Sequence, residues 1–385
     1  MKNQTELYIF CGHYLPGYKA GGILRTVVNM VANLSDKMNL SIITRDRDHG
    51  EKAPYKSTKV NTWTKYKGDK IFYFSKSKMN IFSIAKFFNS NKKKLFFFNS
   101  FFEKFTVYYF IAFFFTPFFK DRKKIFLAPR GEFLDGCLNI NKNKKLLYLR
   151  FFKLAYEPEK VHWIFSDGYE FNDFKEKFPI QIKMYSLLKD IPSIYPLNLS
   201  SDLKEEKVEK LKLVYIARIS PEKNVDLAIE IVQNTKRSIE FDIYGPISDM
   251  RYWEKCLNMI TNNTPNKIKY CGELLPSEVT NTFSKYDIFL YPTGGDNYGH
   301  TIVESLSQGT PVLISENSPW NNLQKKGWGW NIPLLNLSDY SQVLEEFIIE
   351  NSSVNHKKRK NIRGSLLKYL NLNSLIEQYL KVFKE

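Results

Sequence analysis

The chain has 385 residues, more than one ordinary core accommodates and about right for two domains of the usual size. A hydrophobic share of 43% and a charged share of 25% exclude a disordered chain. The formal charge of +17 favours polyanionic partners: nucleic acid, anionic lipid headgroups or phosphorylated substrates.

Residues 1–6 lead straight into a strand at 7–11, without the longer apolar stretch of a signal peptide. A Gly-rich turn at 16–22 follows. A helix then opens with Ile23, Leu24, Val27, Val28, Val31 and Leu34 on one face. Further strands are predicted at 40–43, 71–74, 95–98 and 125–128, each followed by a loop or helix. Such alternation gives a mostly parallel sheet covered on both faces. The run 105–119 is apolar but shorter than a membrane-spanning helix and flanked by Glu103, Lys104 and Lys120, which predicts a buried or interfacial helix. The 31 Phe and 23 Tyr must be buried or form an apolar surface that wants a partner. Lysine clusters at 92–94, 123–124 and 142–145 are each readable as solvated faces. Together they favour a membrane surface or an anionic acceptor. The four cysteines show no paired spacing and read as reduced, packed thiols.

Around 190–209, prolines, serines and charges replace the pattern, which sets a linker at 191–209 between a domain at 1–190 and a second at 210–370. The alternation restarts with strands at 211–216, 239–244, 268–271, 288–291 and 311–314 and helices at 225–233 and 301–307. Ser374 and Glu377 have the S-x-x-E form of a capping box and predict the start of a last helix, within 371–385. Open α/β sheets bind ligands beyond their strand C-termini, so the loops there are the candidate site.

Two of those loops carry chemistry. After the strand at 288–291, Gly294-Gly295-Asp296-Asn297-Tyr298-Gly299-His300-Thr301 leads into a helix that bears Glu304. Gly299 permits close backbone approach, and the helix start offers free N–H groups to a phosphate or sugar oxygen. A carboxylate gains nothing against a diphosphate, so Asp296 and Glu304 are expected to address hydroxyls, one on a sugar and one on a ribose. Asp296 as a helix cap explains the same spacing. After the strand at 211–216, Arg218 and Lys223 project two cations, which suit the charge that develops on a departing diphosphate. Two surface cations in a loop remain the other explanation.

These residues resemble the retaining family-4 glycosyltransferases of the GT-B fold. Residues 217–224 (ARISPEKN) are similar to the family's phosphate-binding loop, 296–304 (DNYGHTIVE) to its E-x7-E motif, and 304–315 (ESLSQGTPVLIS) to the segment that follows. The resemblance implies two Rossmann-like domains facing across a cleft, with the last helix returning to the N-terminal domain. It implies donor-sugar contact for Asp296, ribose contact for Glu304, and diphosphate contact for Arg218 and Lys223, with Asn297, Tyr298, Gly299, His300 and Thr301 lining the donor site. The first acid is Asp here, one methylene shorter than the family's Glu.

In the N-terminal half, 16–22 (PGYKAGG), 44–50 (TRDRDHG), 97–103 (FFNSFFE) and 128–136 (APRGEFLDG), with 314–323 (ISENSPWNNL) near the end, resemble enzymes of bacterial surface-polysaccharide assembly such as those of O-antigen and capsule. Gly21 and Gly22 are expected to close on the donor phosphates, and Arg130 and Glu132 to bind acceptor. Asn99 stands where many members carry a His near the acceptor, and it and His13, which follows the first strand, are expected on the acceptor side as well. A lone His is more often structural, and the backbone N–H of His300 is more useful to a ligand than its ring. Ser166-Asp167 is expected only to cap the next helix.

The expected reaction is transfer of a hexose or N-acetylhexosamine, with retention, from a nucleoside-diphosphate sugar, UDP favoured over GDP. The acceptor is a polyprenyl-diphosphate-linked oligosaccharide at the cytoplasmic face of the membrane. No cofactor is called for, and no His/Cys cluster or acid pair has metal-ligand spacing. Rivals are a nucleotide-sugar epimerase or hydrolase of the same fold and a basic nucleic-acid-binding protein. The latter lacks any recognised motif, so no nucleic-acid partner is expected. A dehydrogenase is disfavoured because the first turn lacks G-x-G-x-x-G.

Overall fold

The computed structural model describes residues 6–115, 124–139, 141–197, 210–261, 265–349 and 356–384. The chain divides into two compact units, Met1–Ile191 with Leu372–Glu385, and Pro192–Asn371. Of the expected linker, 198–209 lies outside the described residues, as do 116–119 of the apolar run, Lys120 and Lys123.

In the first unit the described elements are β1 (Leu7–Phe10), α1 (Gly22–Leu34), β2 (Leu40–Arg45), β3 (Trp63–Tyr66), β4 (Asp69–Phe74), α2 (Ile81–Ser90) and β5 (Leu95–Phe98). They continue with α3 (Lys104–Phe115), β6 (Ile125–Leu127), α4 (Asp135–Asn139), α5 (Lys142–Ala155), β7 (Val161–Phe165), α6 (Gly168–Lys177) and β8 (Met184–Leu187). The sheet runs β3-β4-β2-β1-β5-β6-β7-β8, parallel except for β3, which pairs antiparallel with β4 at the edge. Alternation along each strand sorts the side chains. Leu7 and Ile9 face one way with Val27, Val31, Ile42 and Ile71. Tyr8 and Phe10 face the other way into an aromatic core with Phe74, Phe88, Phe96, Phe98, Phe105 and Tyr109. The Phe10 and Phe98 rings stack at 4.9 Å, and Phe88 meets Tyr109 edge-on at 5.0 Å. Much of the high aromatic content is therefore the filling of one face of this sheet. Phe82, Phe114 and Phe115 remain exposed.

In the second unit come β9 (Leu211–Ile216), α7 (Val225–Asn234), β10 (Ile239–Tyr244), α8 (Met250–Met259), β11 (Lys267–Tyr270), α9 (Pro276–Phe283) and β12 (Ile288–Tyr291). They continue with α10 (His300–Ser307), β13 (Val312–Ser315), α11 (Leu323–Lys326), β14 (Gly329–Ile332), α12 (Leu337–Ile349) and α13 (His356–Leu370). The sheet order is β11-β10-β9-β12-β13-β14, with every pairing parallel. The site-bearing loops leave the C-terminal ends of β9, β10, β12 and β13. The expectation of two Rossmann-like domains is met.

A last helix, α14 (Leu372–Lys384), belongs to the first unit. Its Leu375, Ile376, Tyr379 and Phe383 complete the aliphatic side of that core, and the Phe383 ring meets Phe97 and Phe126. The capping box expected at Ser374 and Glu377 does not start this helix. Asn371 turns the chain with φ 41° and α14 begins at Leu372, so Ser374 lies inside it. The cap expected of Asp167 is present, its carboxylate accepting from the Glu170 N–H at 2.9 Å. All four cysteines are free. Among the described residues, no helix is long and apolar enough to cross a membrane.

Candidate functional site

The loop after β9 closes with a 3-10 turn at Pro221–Lys223, and Asn224, at φ 52°, turns the chain into α7. Asn224 Nδ2 donates to Pro292 O at 2.9 Å, and the Gly294 N–H donates to Glu222 O at 2.9 Å. These bonds join the Arg218–Lys223 loop to the Gly-rich loop after β12. Lys223 Nζ reaches across to Gly295 O at 2.9 Å and to Asp296 Oδ2 at 3.0 Å. The two constellations, more than 70 residues apart, thus form one surface on the second unit.

Asp296 is the centre of that surface. Oδ2 also accepts from the Tyr291 hydroxyl at 2.8 Å, and Oδ1 accepts from the Gly299 N–H at 2.9 Å. Burial pushes its carboxyl up, but the Lys223 charge, the Tyr291 hydroxyl and the Gly299 N–H outweigh that and hold it below the usual carboxylate range. Asp296 thus ties the loop to Gly299, the N-cap residue of α10, while the helix itself starts without a side-chain cap. Lys223 is correspondingly neutralised in an ion pair. The more open cation of the two is Arg218, whose side chain is 36% exposed and lies 3.5 Å from Glu222.

Gly299, at φ 76°, precedes α10, and a Cβ there would stand 2.8 Å from Ile302 Cδ1. The glycine thus answers a backbone requirement of the turn. His300 opens the helix and is buried with its ring 4.8 Å from that of Tyr298, whose carbonyl accepts from Trp320 Nε1 at 2.5 Å. Glu304 stands one turn into the helix and is 2% exposed. Asn297 and Thr301 are partly exposed on either side of Gly299.

Two further loops support this surface, one after β13 within the quoted 314–323 segment and one after β10 that was not singled out in the sequence. Ser315 Oγ donates to Thr293 O at 2.5 Å, and the Asp296 N–H donates to Asn317 O at 3.3 Å. After β10, Gly245 comes so close to the Arg218 loop that a Cβ would lie 1.8 Å from Ala217 O. The Ile219 N–H donates to Pro246 O in the same place. A Gly-Pro pair directly after a strand is the signal that would have found it.

In the first unit, Gly21 at φ 68° caps α1 and Gly22 is its first residue, so the helix starts without a side-chain cap. His13 Nδ1 lies 3.3 Å from Arg47 O and its ring faces His49 at 5.4 Å. Burial first, then the Arg45 charge, hold His13 below the usual imidazole value.

The residues expected to bind acceptor have structural partners within the unit: Asn99 and Arg130 are buried, and Glu132 is partly exposed. Arg130, at φ 54°, donates through Nε to Asn99 Oδ1 at 2.8 Å and through a second nitrogen to Asp190. Asn99 Nδ2 donates in turn to Ile23 O at 3.2 Å, and Asp190 accepts from Thr26 Oγ1 at 2.6 Å. The cluster fixes the start of α1. Glu132 accepts from Ser100 Oγ, Phe101 N–H and Phe102 N–H at 2.7, 2.5 and 3.2 Å, which fixes the loop after β5.

Burial outweighs those three donors and raises the Glu132 carboxyl to about 7, against about 4.5 in the unfolded chain. Between those values the folded state keeps a proton that the unfolded state loses. The associated stability is present below pH 4.5 and disappears as pH rises through 7, by about 3 kcal/mol. Thermal melts of wild type and Glu132→Gln across pH 4.5–7.5 are expected to diverge in favour of the variant as pH rises. A constant difference would contradict this.

Among the described residues, no three His, Cys, Asp or Glu side chains gather as a metal cage. Residues 201–363 match the family model for glycosyl transferases group 1, which takes in nearly all of the second unit. No curated protein matches the chain. Among solved structures, the Anabaena protein HepE, in complex with UDP and glucose, is 12% identical over 99% of both chains, with a TM-score of 0.72. Sucrose-phosphate synthase of Thermosynechococcus elongatus is 13% identical over 99% of this chain and 98% of its own, with a TM-score of 0.71. WaaG, a glycosyltransferase involved in lipopolysaccharide biosynthesis, is 12% identical over 98% and 99%, with a TM-score of 0.67. At such identities the likeness carries the fold, and the chain has the GT-B architecture of two Rossmann-like units.

Proposed function

We propose that the chain is a glycosyltransferase that moves a hexose or N-acetylhexosamine from a UDP-sugar to a lipid-linked oligosaccharide in bacterial polysaccharide assembly, with retention. The observation that carries this reading is the joined surface of Arg218, the Lys223–Asp296 pair and the start of α10, inside the segment that matches glycosyl transferases group 1. HepE is described with UDP and with UDP-glucose, and the Staphylococcus aureus protein TarM with UDP and α-GlcNAc-glycerol, which supports UDP as the nucleotide carrier.

In this mechanism the N-terminal end of α10 and the Arg218 guanidinium receive the diphosphate, and Glu304 receives the ribose hydroxyls. The bond from the anomeric carbon to the diphosphate oxygen breaks with its electron pair on the oxygen. The acceptor hydroxyl oxygen bonds the same face of that carbon, and its proton passes to the leaving oxygen. The protein contributes position and fixed charge, and no metal ion or cofactor is called for.

Calorimetric and thermal-shift titration of wild type, Arg218→Ala and Glu304→Ala with UDP, GDP and NAD tests the reading. UDP is expected to bind wild type and to bind each variant at least about tenfold more weakly, since a bond to a charged group is worth about 1.5–3 kcal/mol. A folded wild type that binds no nucleoside diphosphate would overturn it.

The acceptor's lipid anchor calls for a membrane surface. On α5, Leu147 and Leu154 are 68% and 74% exposed, one heptad apart, among Lys144, Arg150 and Lys153. Phe115 of α3, 70% exposed, lies beside them through Phe151, with ring centroids 6.4 Å apart. This apolar patch with basic flanks suits the cytoplasmic leaflet. Sedimentation with phosphatidylglycerol vesicles at low salt is expected to be strong and to fall in Leu147→Glu/Leu154→Glu. Equal sedimentation of both proteins would remove the patch from the account.

A further inference from the structure

At the opposite end of the strands of the second sheet lies a cavity of about 580 Å³, a size that suits a small organic molecule. Pro311 and Gly329 line it. Both stand at the N-terminal ends of β13 and β14, whereas the loops of the candidate site leave the C-terminal ends of β12 and β13. The cavity is therefore separate from the surface around Asp296, by the length of a strand.

Its walls have two kinds of chemistry. Trp330 and Phe347, with ring centroids 5.9 Å apart and edge to face, and the buried Ile362 make an apolar floor. Lys326 and Lys358 add two cations, and none of the described lining residues is acidic. Lys326 is held in place: its ammonium sits 4.9 Å from the Trp328 ring centroid and 4.5 Å from that of Tyr369, and donates to Asn321 O at 3.1 Å.

On α13, Lys358, Asn361, Ile362 and Ser365 have helical i, i+3, i+4, i+7 spacing, so one face of the helix is given to the cavity. The neighbouring stripe is used structurally. Arg359 donates to Tyr286 O and Thr310 Oγ1, both at 2.7 Å, and Arg363 donates to Ser307 O at 2.6 Å. The same helix thus borders the cavity and grips the end of α10.

We infer that this cavity is a binding site for an amphipathic organic anion, whose apolar body lies on Trp330, Phe347 and Ile362 and whose acidic group meets Lys326 and Lys358. The inference is independent of the proposed transfer reaction, and so is its test. Fluorescence titration with 1-anilinonaphthalene-8-sulfonate, and with N-phenyl-1-naphthylamine as its uncharged counterpart, reads both halves of the site. Wild type is expected to bind the sulfonate at least about tenfold more tightly than the amine.

Lys326→Glu/Lys358→Glu is expected to remove that preference, with Lys358→Glu alone intermediate. Lys357→Glu/Lys360→Glu changes the net charge equally on the other faces of α13 and is expected to leave the sulfonate affinity within twofold. Equal loss in both double variants would assign the affinity to the overall positive charge and overturn the site. Unchanged affinity in the cavity variants would overturn it as well.

Discussion

Arg130→Met is expected to cost the first unit about 3–5 kcal/mol, the range for breaking a buried ion pair from one side. Arg130 and Asp190 have side chains only 2% exposed, and the substitution removes the guanidinium that balances the buried Asp190 charge. It also frees Asn99 Oδ1, and with it the tie to Ile23 O at the start of α1. Apolar groups on both sides restore much of what is lost, because then no charge is left buried. Arg130→Met/Asp190→Leu is therefore expected to recover most of the stability. Urea unfolding followed by tryptophan fluorescence reads the difference, since Trp163 is fully buried in this unit. A loss below about 1 kcal/mol for the single variant would show that the pair does not hold the unit together.

The second large effect belongs to turnover. Lys223→Met is expected to lower kcat by about 10²-fold, the cost of letting the groups that receive the diphosphate shift by about an ångström. Without the ammonium, Asp296 keeps only Tyr291 and the Gly299 N–H as partners, and Gly295 O keeps only the Thr293 hydroxyl. The loop that sets the start of α10 is then held by fewer bonds at the moment the diphosphate departs. Lys223→Arg is not expected to rescue the rate, because a planar fork does not reproduce a single ammonium shared between Gly295 O and Asp296 Oδ2. Steady-state kinetics with UDP-sugar give the split: kcat falls further than donor affinity. A change of less than tenfold in kcat would remove Lys223 from the chemistry.

Local pattern carried much of the fold. β9, β10 and β12 have the predicted bounds, because buried parallel strands are short apolar runs with polar or Gly/Pro boundaries. β3 escaped notice because Trp63–Tyr66 is an edge strand with no fully buried residue. The site was legible in part for the same reason. Arg218, Lys223, Asp296 and Glu304 stand in two short segments, and each segment announces a strand, a loop and a helix. What the spacing left open was which partner Asp296 takes, since a cap and a sugar contact require the same residue at the same place. Arg130 drew notice because it follows a strand as a ligand-binding residue does, and its packing was not legible. Its partner Asp190 is 60 residues away, and nothing local marks the two as a pair. Composition likewise reported many aromatic rings without telling that a single sheet face collects so many of them.

The return of α14 to the first unit also sets an order of events on the ribosome. Residues 192–371 emerge as one continuous stretch and hold every strand of the second sheet. The first unit, begun earlier, still lacks Tyr379 and Phe383 against its aliphatic face when that stretch is complete. Domains ordinarily mature in the order of their synthesis. Here the later-made unit is able to finish first, while the nascent first unit carries an open apolar flank that only α14, made after it, can close.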